Sequence, residues 1–314
     1  MGKIAFVFPG QGAQTVGMGH DVYASVPEAR RVFEASDETL GFKLTDLIFH
    51  GPEEQLKQTY NTQPALLATS IALYEAFKTA GVAPDYVAGH SLGEYSALVV
   101  AGVMDFADAV RTVRARGRFM EEAVPGGRGA MAAVLGADRE RLAALCESVS
   151  REVGVVEMAN VNCPGQIVVS GTREGVQAVA ERSREAGAKR VVPLEVSGPF
   201  HSSLMQPAAE RLADVLAAVP MRSASVPIVA NVTARPVQDA EDIRRLLVKQ
   251  VVSPVLWEDS VVWMIGQGVD TFIEIGSGTV LAGLIKKVDK QARVFSINSA
   301  EAIRSFAAQG EFAP

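Results

Sequence analysis

Residues 85–101, DYVAGHSLGEYSALVVA, constrain this chain more than any other stretch. A short apolar run, Tyr86-Val87-Ala88, reads as a buried strand. It feeds Gly89-His90-Ser91-Leu92-Gly93, and a helical pattern follows. Strand, turn and helix in that order around Gly-x-Ser-x-Gly make a nucleophile elbow. The two glycines let the backbone turn sharply, because a Cβ at either would collide with the neighbouring strand or helix. Ser91 is then held out at the tip of the turn. The N–H of Leu92, at the start of the helix, points where an oxyanion can form. A chance Gly-x-Ser-x-Gly in a loop is the alternative, and the flanking strand and helix weigh against it.

The 314 residues suffice for one large domain or two smaller ones with a sizeable core. Apolar residues make up 48% and charged residues 21%, an ordinary globular balance. A net charge of -6 argues against a nucleic-acid binder, which would carry a basic surplus. Cys146 and Cys163 lack Cys-x-x-Cys spacing, so neither a disulfide framework nor a zinc site is expected. The opening MGKIAFVFPGQ is too short in its apolar run for a signal peptide, and no run reaches membrane-spanning length. The expectation is a reduced, soluble protein of the cytoplasm.

Periodicity predicts a first buried strand over 3–8, then a loop, Pro9-Gly10-Gln11-Gly12-Ala13-Gln14, whose glycines allow backbone amides to face a ligand. Helices are predicted over 27–40, 62–80 and 105–123. The rhythm changes after Val124-Pro125-Gly126-Gly127. Strands over 129–135, 155–159, 166–170 and 190–194, with helices over 138–149 and 172–186, give the order βαββαβ of a ferredoxin-like unit. Beyond Ser197 the α/β alternation resumes. Helices are predicted over 204–219, 241–251, 257–267 and from 279, with strands over 226–230 and 271–275. The expected architecture is α/β, with a mostly parallel sheet covered on both faces in a discontinuous domain of residues 1–126 and 197–314. A small domain, 127–196, is inserted into it, and the tail 310–314 is expected to fray.

An elbow serine needs a general base, and the chain has four histidines. His90 adjoins Ser91 but leaves the turn in another direction, while His20 and His50 sit in polar, surface-like contexts. His201 lies in a Gly/Pro turn, Ser197-Gly198-Pro199-Phe200-His201-Ser202-Ser203, just before a helix, and is the candidate base. No metal-ligand spacing joins the four. No acid between Ser91 and His201 stands out as an orienter, so a neutral carbonyl is the alternative. Of Arg111, Arg114, Arg116 and Arg118, most read as a solvated face, though one pointing inward would offer a fork for a substrate carboxylate. Glu274-Ile275-Gly276-Ser277-Gly278-Thr279 resembles part of a phosphate loop but lacks the third glycine and any Gly-Lys-Ser/Thr.

Several motifs together resemble the malonyl-CoA:acyl-carrier-protein transacylases of bacterial fatty-acid synthesis. They are Phe8-Pro9-Gly10-Gln11-Gly12-Ala13-Gln14, Thr62-Gln63-Pro64-Ala65, Gly89-His90-Ser91-Leu92-Gly93-Glu94 and Arg116-Gly117. Downstream come Asn160 to Gly165, Gly198-Pro199-Phe200-His201, Gln250 with Ser253-Pro254-Val255, and Glu274-Ile275-Gly276. The likeness covers nearly the whole chain. One departure is Cys163, where relatives commonly carry Ser within Asn-Ser-Pro.

The resemblance implies an α/β-hydrolase-like domain with a ferredoxin-like insert, Ser91 as nucleophile and His201 as its base. It implies an oxyanion hole from the amides of Gln11 and Leu92, and Gln250 at the position whose carbonyl orients the histidine. Arg116 would clamp the malonyl carboxylate, with Gln63 and Phe200 beside it in the substrate site and Phe200 denying space to a methyl branch. The implied partners are malonyl-CoA and acyl carrier protein, with no cofactor, metal, nucleic acid or membrane, and a monomer is expected. An acidic carrier needs a local basic patch; Arg182, Arg184, Lys189, Arg190, Lys286 and Lys287 are candidates. The rival readings are a serine thioesterase or esterase on the same machinery, a polyketide acyltransferase, and a non-catalytic carrier-binding module.

Overall fold

The structure, a computed structural model, describes residues 2–196 and 198–309. Ser197, the first residue past the expected end of the insert, and the tail expected to fray lie outside the described residues. Strands β1 (Lys3–Phe8), β2 (Tyr86–Gly89), β3 (Gly129–Leu135), β4 (Val156–Cys163), β5 (Gln166–Thr172) and β6 (Arg190–Pro193) come first. They are followed by β7 (Ile228–Ala230), β8 (Arg235–Val237), β9 (Val255–Leu256), β10 (Val269–Ile275) and β11 (Arg293–Ile297).

Among the described residues the strands form two sheets. The larger has the order β11-β10-β1-β2-β7-β8 and is parallel except where β8 turns back against β7. Successive side chains of a strand point to opposite faces, and β1 shows what that means here. Phe6 and Phe8 enter one apolar cluster, whereas Ala5 and Val7 enter another on the far side. A strand buried on both faces reads as a continuous apolar run, which is why β1 was legible in sequence.

The smaller sheet has the order β6-β3-β5-β4-β9. Its first four strands are antiparallel, in the arrangement of a βαββαβ unit, as the sequence predicts. The fifth strand joins this sheet from outside the insert. Val255 and Leu256 come from far beyond residue 196 and pair in parallel with Asn160 and Val161. β4 runs on to Cys163, past the predicted end at 159, held there by β5 through the Cys163–Gln166 pair and flanked by β9 at Asn160 and Val161. Two residues of strand are too short for periodicity to register, so β9 was missed, as were β8, β11 and the closing helix Ala300–Ala308.

Helix Thr59–Phe77 runs through the larger core and is buried on nearly every side. It begins three residues before its predicted start, with Pro64 inside it. Pro64 has no N–H for the carbonyl of Tyr60, and Arg114 Nη1 donates to that carbonyl instead at 3.4 Å. Gly117, on helix Phe106–Glu122, lets the two helices close up, since a Cβ there would come within 2.7 Å of the Thr59 carbonyl oxygen. The following residues confirm the α/β pattern with helices Gln206–Ala218, Ala240–Gln250, Trp257–Gly266 and Val280–Val288.

Candidate active site

The carboxyl ends of β1, β2 and β7 lie side by side, where open parallel sheets place their sites. Ser91 follows β2 with φ of 50°, a left-handed conformation that few side-chain-bearing residues adopt. The turn is held by its surroundings. A Cβ on Gly89 would sit 1.9 Å from the carbonyl carbon of Gly93, and one on Gly93 would sit 2.0 Å from the carbonyl oxygen of Phe8. Neither glycine admits a side chain.

His201 reaches Ser91 from a turn 110 residues away, its Nε2 lying 2.8 Å from Ser91 Oγ. Its Nδ1 donates to the backbone carbonyl of Gln250 at 2.9 Å, leaving Nε2 to accept the serine proton. Burial, reinforced by the positive charge of Arg116, lowers the imidazole pKa from the usual 6.5 to about 3. The ring is therefore neutral at ordinary pH, in the state a general base requires.

Arg116 is only 1% exposed. Its Nη1 donates to Gln63 Oε1 at 2.8 Å, and its Nη2 donates to Gln250 Oε1 at 2.9 Å and to Ser91 Oγ at 3.2 Å. Its Nε is buried without a hydrogen-bond partner among the described residues. The guanidinium thus presents a donor edge beside the serine hydroxyl, which suits a carboxylate. Periodicity held a signal for this residue. Arg116 falls in the buried stripe of its helix with Ala109, Val113 and Met120, while Arg111 and Arg118 lie exposed and pair with Asp108 and Glu122. Arg114 departs from the expected solvated face, being half-buried with its guanidinium 4.4 Å from the Phe42 ring centre.

Two residues under the elbow escaped the sequence reading. Asn231, just past β7, accepts from the Ser91 amide at 2.8 Å and donates Nδ2 to the Gly89 carbonyl at 2.6 Å. Glu94 is 3% exposed and accepts from the Asn231 amide at 3.1 Å and from Gln250 Nε2 at 2.9 Å. Burial raises its pKa from 4.5 to about 7. A lone acid in the apolar helix Gly93–Val100 was the available signal.

A cavity of about 100 Å³ opens over Ser91, lined by Gln11, Leu92, Arg116, Met120, Phe200 and His201 among others. Among the described residues neither the Gln11 nor the Leu92 amide has a hydrogen-bond acceptor. A second cavity of about 210 Å³ shares Gln11, His90, Asn160 and Leu194 with the first and continues towards Gln166 and Leu284. His90 points into this side, its Nε2 lying 2.8 Å from Asn162 Oδ1, away from the reacting hydroxyl.

The remaining candidates divide. Glu274 turns its carboxylate on the amides of Leu281 and Ala282, both at 2.9 Å, so the loop resembling a phosphate site already caps its own helix with an acid. Lys287 Nζ donates to Gln166 Oε1 at 3.1 Å, on the rim of the second cavity, and Lys189 packs beside Gly136 nearby. Arg182 is instead paired with Glu152 and Glu185, and Lys286 is bonded to the carbonyls of Lys290 and Ala292. Cys146 and Cys163 are both free and buried. Among the described residues no group of three or more His, Cys, Asp or Glu could hold a metal ion, and no helix is long and apolar enough to cross a membrane.

Comparison with known proteins follows the same lines. The acyl transferase domain family matches residues 5–307. The malonyl CoA-acyl carrier protein transacylase of Bacillus subtilis is 55% identical over 303 residues, 96% of each chain. The solved malonyl CoA-acyl carrier protein transacylase of Coxiella burnetii superposes with a TM-score of 0.95 at 39% identity, over 98% of each chain. A malonyl-transacylase solved in complex with its type II polyketide acyl-carrier protein gives a TM-score of 0.94 at 42% identity, over 98% of this chain and 99% of that one. The chain belongs to the acyl transferase family and, within it, groups with the malonyl CoA-acyl carrier protein transacylases.

Proposed function

We propose that this acyltransferase moves a malonyl group from malonyl-CoA to the phosphopantetheine thiol of acyl carrier protein, through an ester on Ser91, to supply fatty-acid chain extension. The observation that carries this reading is the buried Arg116 guanidinium, 3.2 Å from the nucleophile with its Nε unpartnered. A hydrolase of simple esters has no use for a buried cation there.

His201 takes the Ser91 proton as Oγ attacks the thioester carbon, and the resulting oxyanion falls between the Gln11 and Leu92 amides. The carbon–sulfur bond breaks, CoA leaves as the thiol with the proton from His201, and malonyl-Ser91 remains. The carrier's thiol then gives its proton to His201 and attacks the ester, restoring the serine. Gln250, through its backbone carbonyl, keeps the imidazole turned for both halves. Arg116, fixed by Gln63, holds the acyl carboxylate. That carboxylate also offsets the guanidinium charge that depresses the His201 pKa, so the correct acyl group strengthens the base. Phe200, 5% exposed at the cavity wall, opposes a branch at the malonyl carbon.

The scheme draws every residue from one chain, so a monomer suffices, working in the cytoplasm with no cofactor beyond the two substrates. Residues 1–126 with 197–314 make the catalytic unit and 127–196 the inserted one. The acidic carrier docks along the rim of the second cavity, where Lys189, Arg190 and Lys287 are exposed. Intact-mass spectrometry after brief mixing with malonyl-CoA tests the whole reading. A malonyl adduct that requires Ser91 and disappears when carrier thiol is added supports it. Steady release of malonate without carrier would make the chain a hydrolase instead.

A further inference from the structure

The side chain of Gln250 lies between groups of opposite demand. On one side Arg116 Nη2 offers only donors, and Oε1 accepts from it at 2.9 Å. On the other, Nε2 faces three acceptors: Glu94 Oε2 at 2.9 Å, the Ser91 carbonyl at 3.1 Å and Asn231 Oδ1 at 3.3 Å. The Asn231 oxygen is identified by its own bonds, since it accepts from the Ser91 amide while Nδ2 donates to Gly89. Reversing the Gln250 amide would set its oxygen against a carboxylate and its NH2 against a guanidinium. The network therefore permits one orientation, and Glu94 supplies the shortest and the one charged acceptor of the three on Nε2.

We propose that Glu94 is a positioning residue of the acyl-carboxylate clamp, acting through the Gln250 amide to hold the Arg116 guanidinium against Ser91. This rests on the reading that Arg116 binds the malonyl carboxylate. Glu94 touches neither substrate nor the reacting atoms. It sits one amide away from Arg116, near enough to balance the buried cation in the resting site but not so near as to occupy the edge the substrate needs. A direct Glu94–Arg116 pair would compete with malonate, whereas an amide relay fixes the guanidinium and leaves its buried Nε unpaired.

Two consequences separate this from a structural role under the elbow. A structural acid would affect malonyl and acetyl transfer alike, because both use the same elbow. A clamp-positioning acid affects malonyl alone, because acetyl has no carboxylate to place. The effect must also follow the ionisation of Glu94, which burial raises to about 7. Of the other titratable groups around it, burial lowers the His201 imidazole to about 3, pushes His90 down and Tyr95 up, each towards its neutral form, and lowers Arg116 from the usual guanidinium range.

The test is the rate of Ser91 acylation by malonyl-CoA and by acetyl-CoA, read by intact mass from pH 6 to 8, for wild type, Glu94→Gln, Gln250→Met, the double variant and Arg116→Ala. At pH 8, Glu94→Gln is expected to slow malonyl acylation about tenfold and to leave acetyl acylation within about twofold. The double variant should be no worse than Gln250→Met, because the two residues act in series. In wild type the malonyl-to-acetyl ratio should fall as the pH drops from 8 to 6, a readout that needs no substitution to fold. The phosphates of CoA are common to both substrates and cancel in the ratio. Equal slowing of both substrates by Glu94→Gln, additive effects in the double variant, or a flat wild-type ratio would each overturn the proposal. If Arg116→Ala itself keeps the malonyl preference, the clamp reading fails first and separately.

Discussion

Ser91 and His201 both hold left-handed backbones, with φ of 50° and 58°, and face each other across 2.8 Å. Each stands on a turn that a residue with a Cβ adopts only at a cost of about 1–3 kcal/mol. The bonds that fix the Ser91 backbone and the His201 ring come from other parts of the chain. Asn231 holds the Ser91 turn from β7, and the Gln250 carbonyl holds the His201 ring from the end of its helix.

Asn231 is accordingly expected to carry stability as well as geometry. Asn231→Ala removes the Ser91 amide's acceptor and the Gly89 carbonyl's donor inside the core, at about 2–4 kcal/mol. Thermal unfolding should shift down by several degrees, with acylation by malonyl-CoA and acetyl-CoA falling together. An unchanged melting temperature would remove Asn231 from the account.

Acid should destabilise the protein through His201. With its folded pKa lowered from 6.5 to about 3, the unfolded chain binds a proton that the folded chain refuses. The group's contribution is complete above pH 6.5 and is lost as the pH falls towards 3. Glu94 works in the opposite sense, because its raised value of about 7 gives stability that is present below pH 4.5 and lost as the pH rises through 7. Calorimetric melting from pH 4 to 8 should therefore show a shallower acid-side loss for His201→Gln and a shallower alkaline-side loss for Glu94→Gln. Slopes matching wild type would contradict both assignments.

Arg116→Ala should lower malonyl acylation by about 10²–10³-fold, since a bidentate contact to a desolvated carboxylate is lost. Arg116→Lys is expected to recover little. A single ammonium cannot satisfy Gln63 and Gln250 while also presenting a fork beside Ser91. Single-turnover acylation on the two variants checks this, and a lysine variant near wild type would show that charge alone suffices.

Phe200→Ser should admit a branched acyl group. The ring closes the cavity wall beside Met120 and Met131, and its loss frees room for one methyl, worth about 1–3 kcal/mol of discrimination. Competition between malonyl-CoA and methylmalonyl-CoA, read as adduct mass on Ser91, should shift towards methylmalonyl by about tenfold or more. An unmoved ratio would place the selectivity elsewhere.

Lys189→Glu and Arg190→Glu should weaken transfer to the carrier while leaving acylation by malonyl-CoA unchanged, because both side chains are exposed at the edge of the smaller sheet. The wild-type rate of the second half-reaction should fall with added salt. Reversing Arg182, already paired with two glutamates, is expected to do less. A second half-reaction indifferent to salt would exclude an electrostatic dock.

Sequence alone determined what depends on neighbours along the chain. The elbow was legible because strand, glycines and helix are contiguous, and β1 because both its faces are buried. The βαββαβ order of the insert followed from alternating periodicities. His201 could be named as the candidate base from its Gly/Pro turn, whereas the choice of Arg116 among four arginines came from resemblance. Only the tertiary structure decided what depends on groups far apart in sequence. It joined β9 to β4, gave Gln250 a side-chain bond to Arg116 beside its backbone bond to His201, and set Glu94 and Asn231 under the turn. A buried polar group must find partners wherever the fold brings donors and acceptors together. No local pattern in the sequence records where that will be.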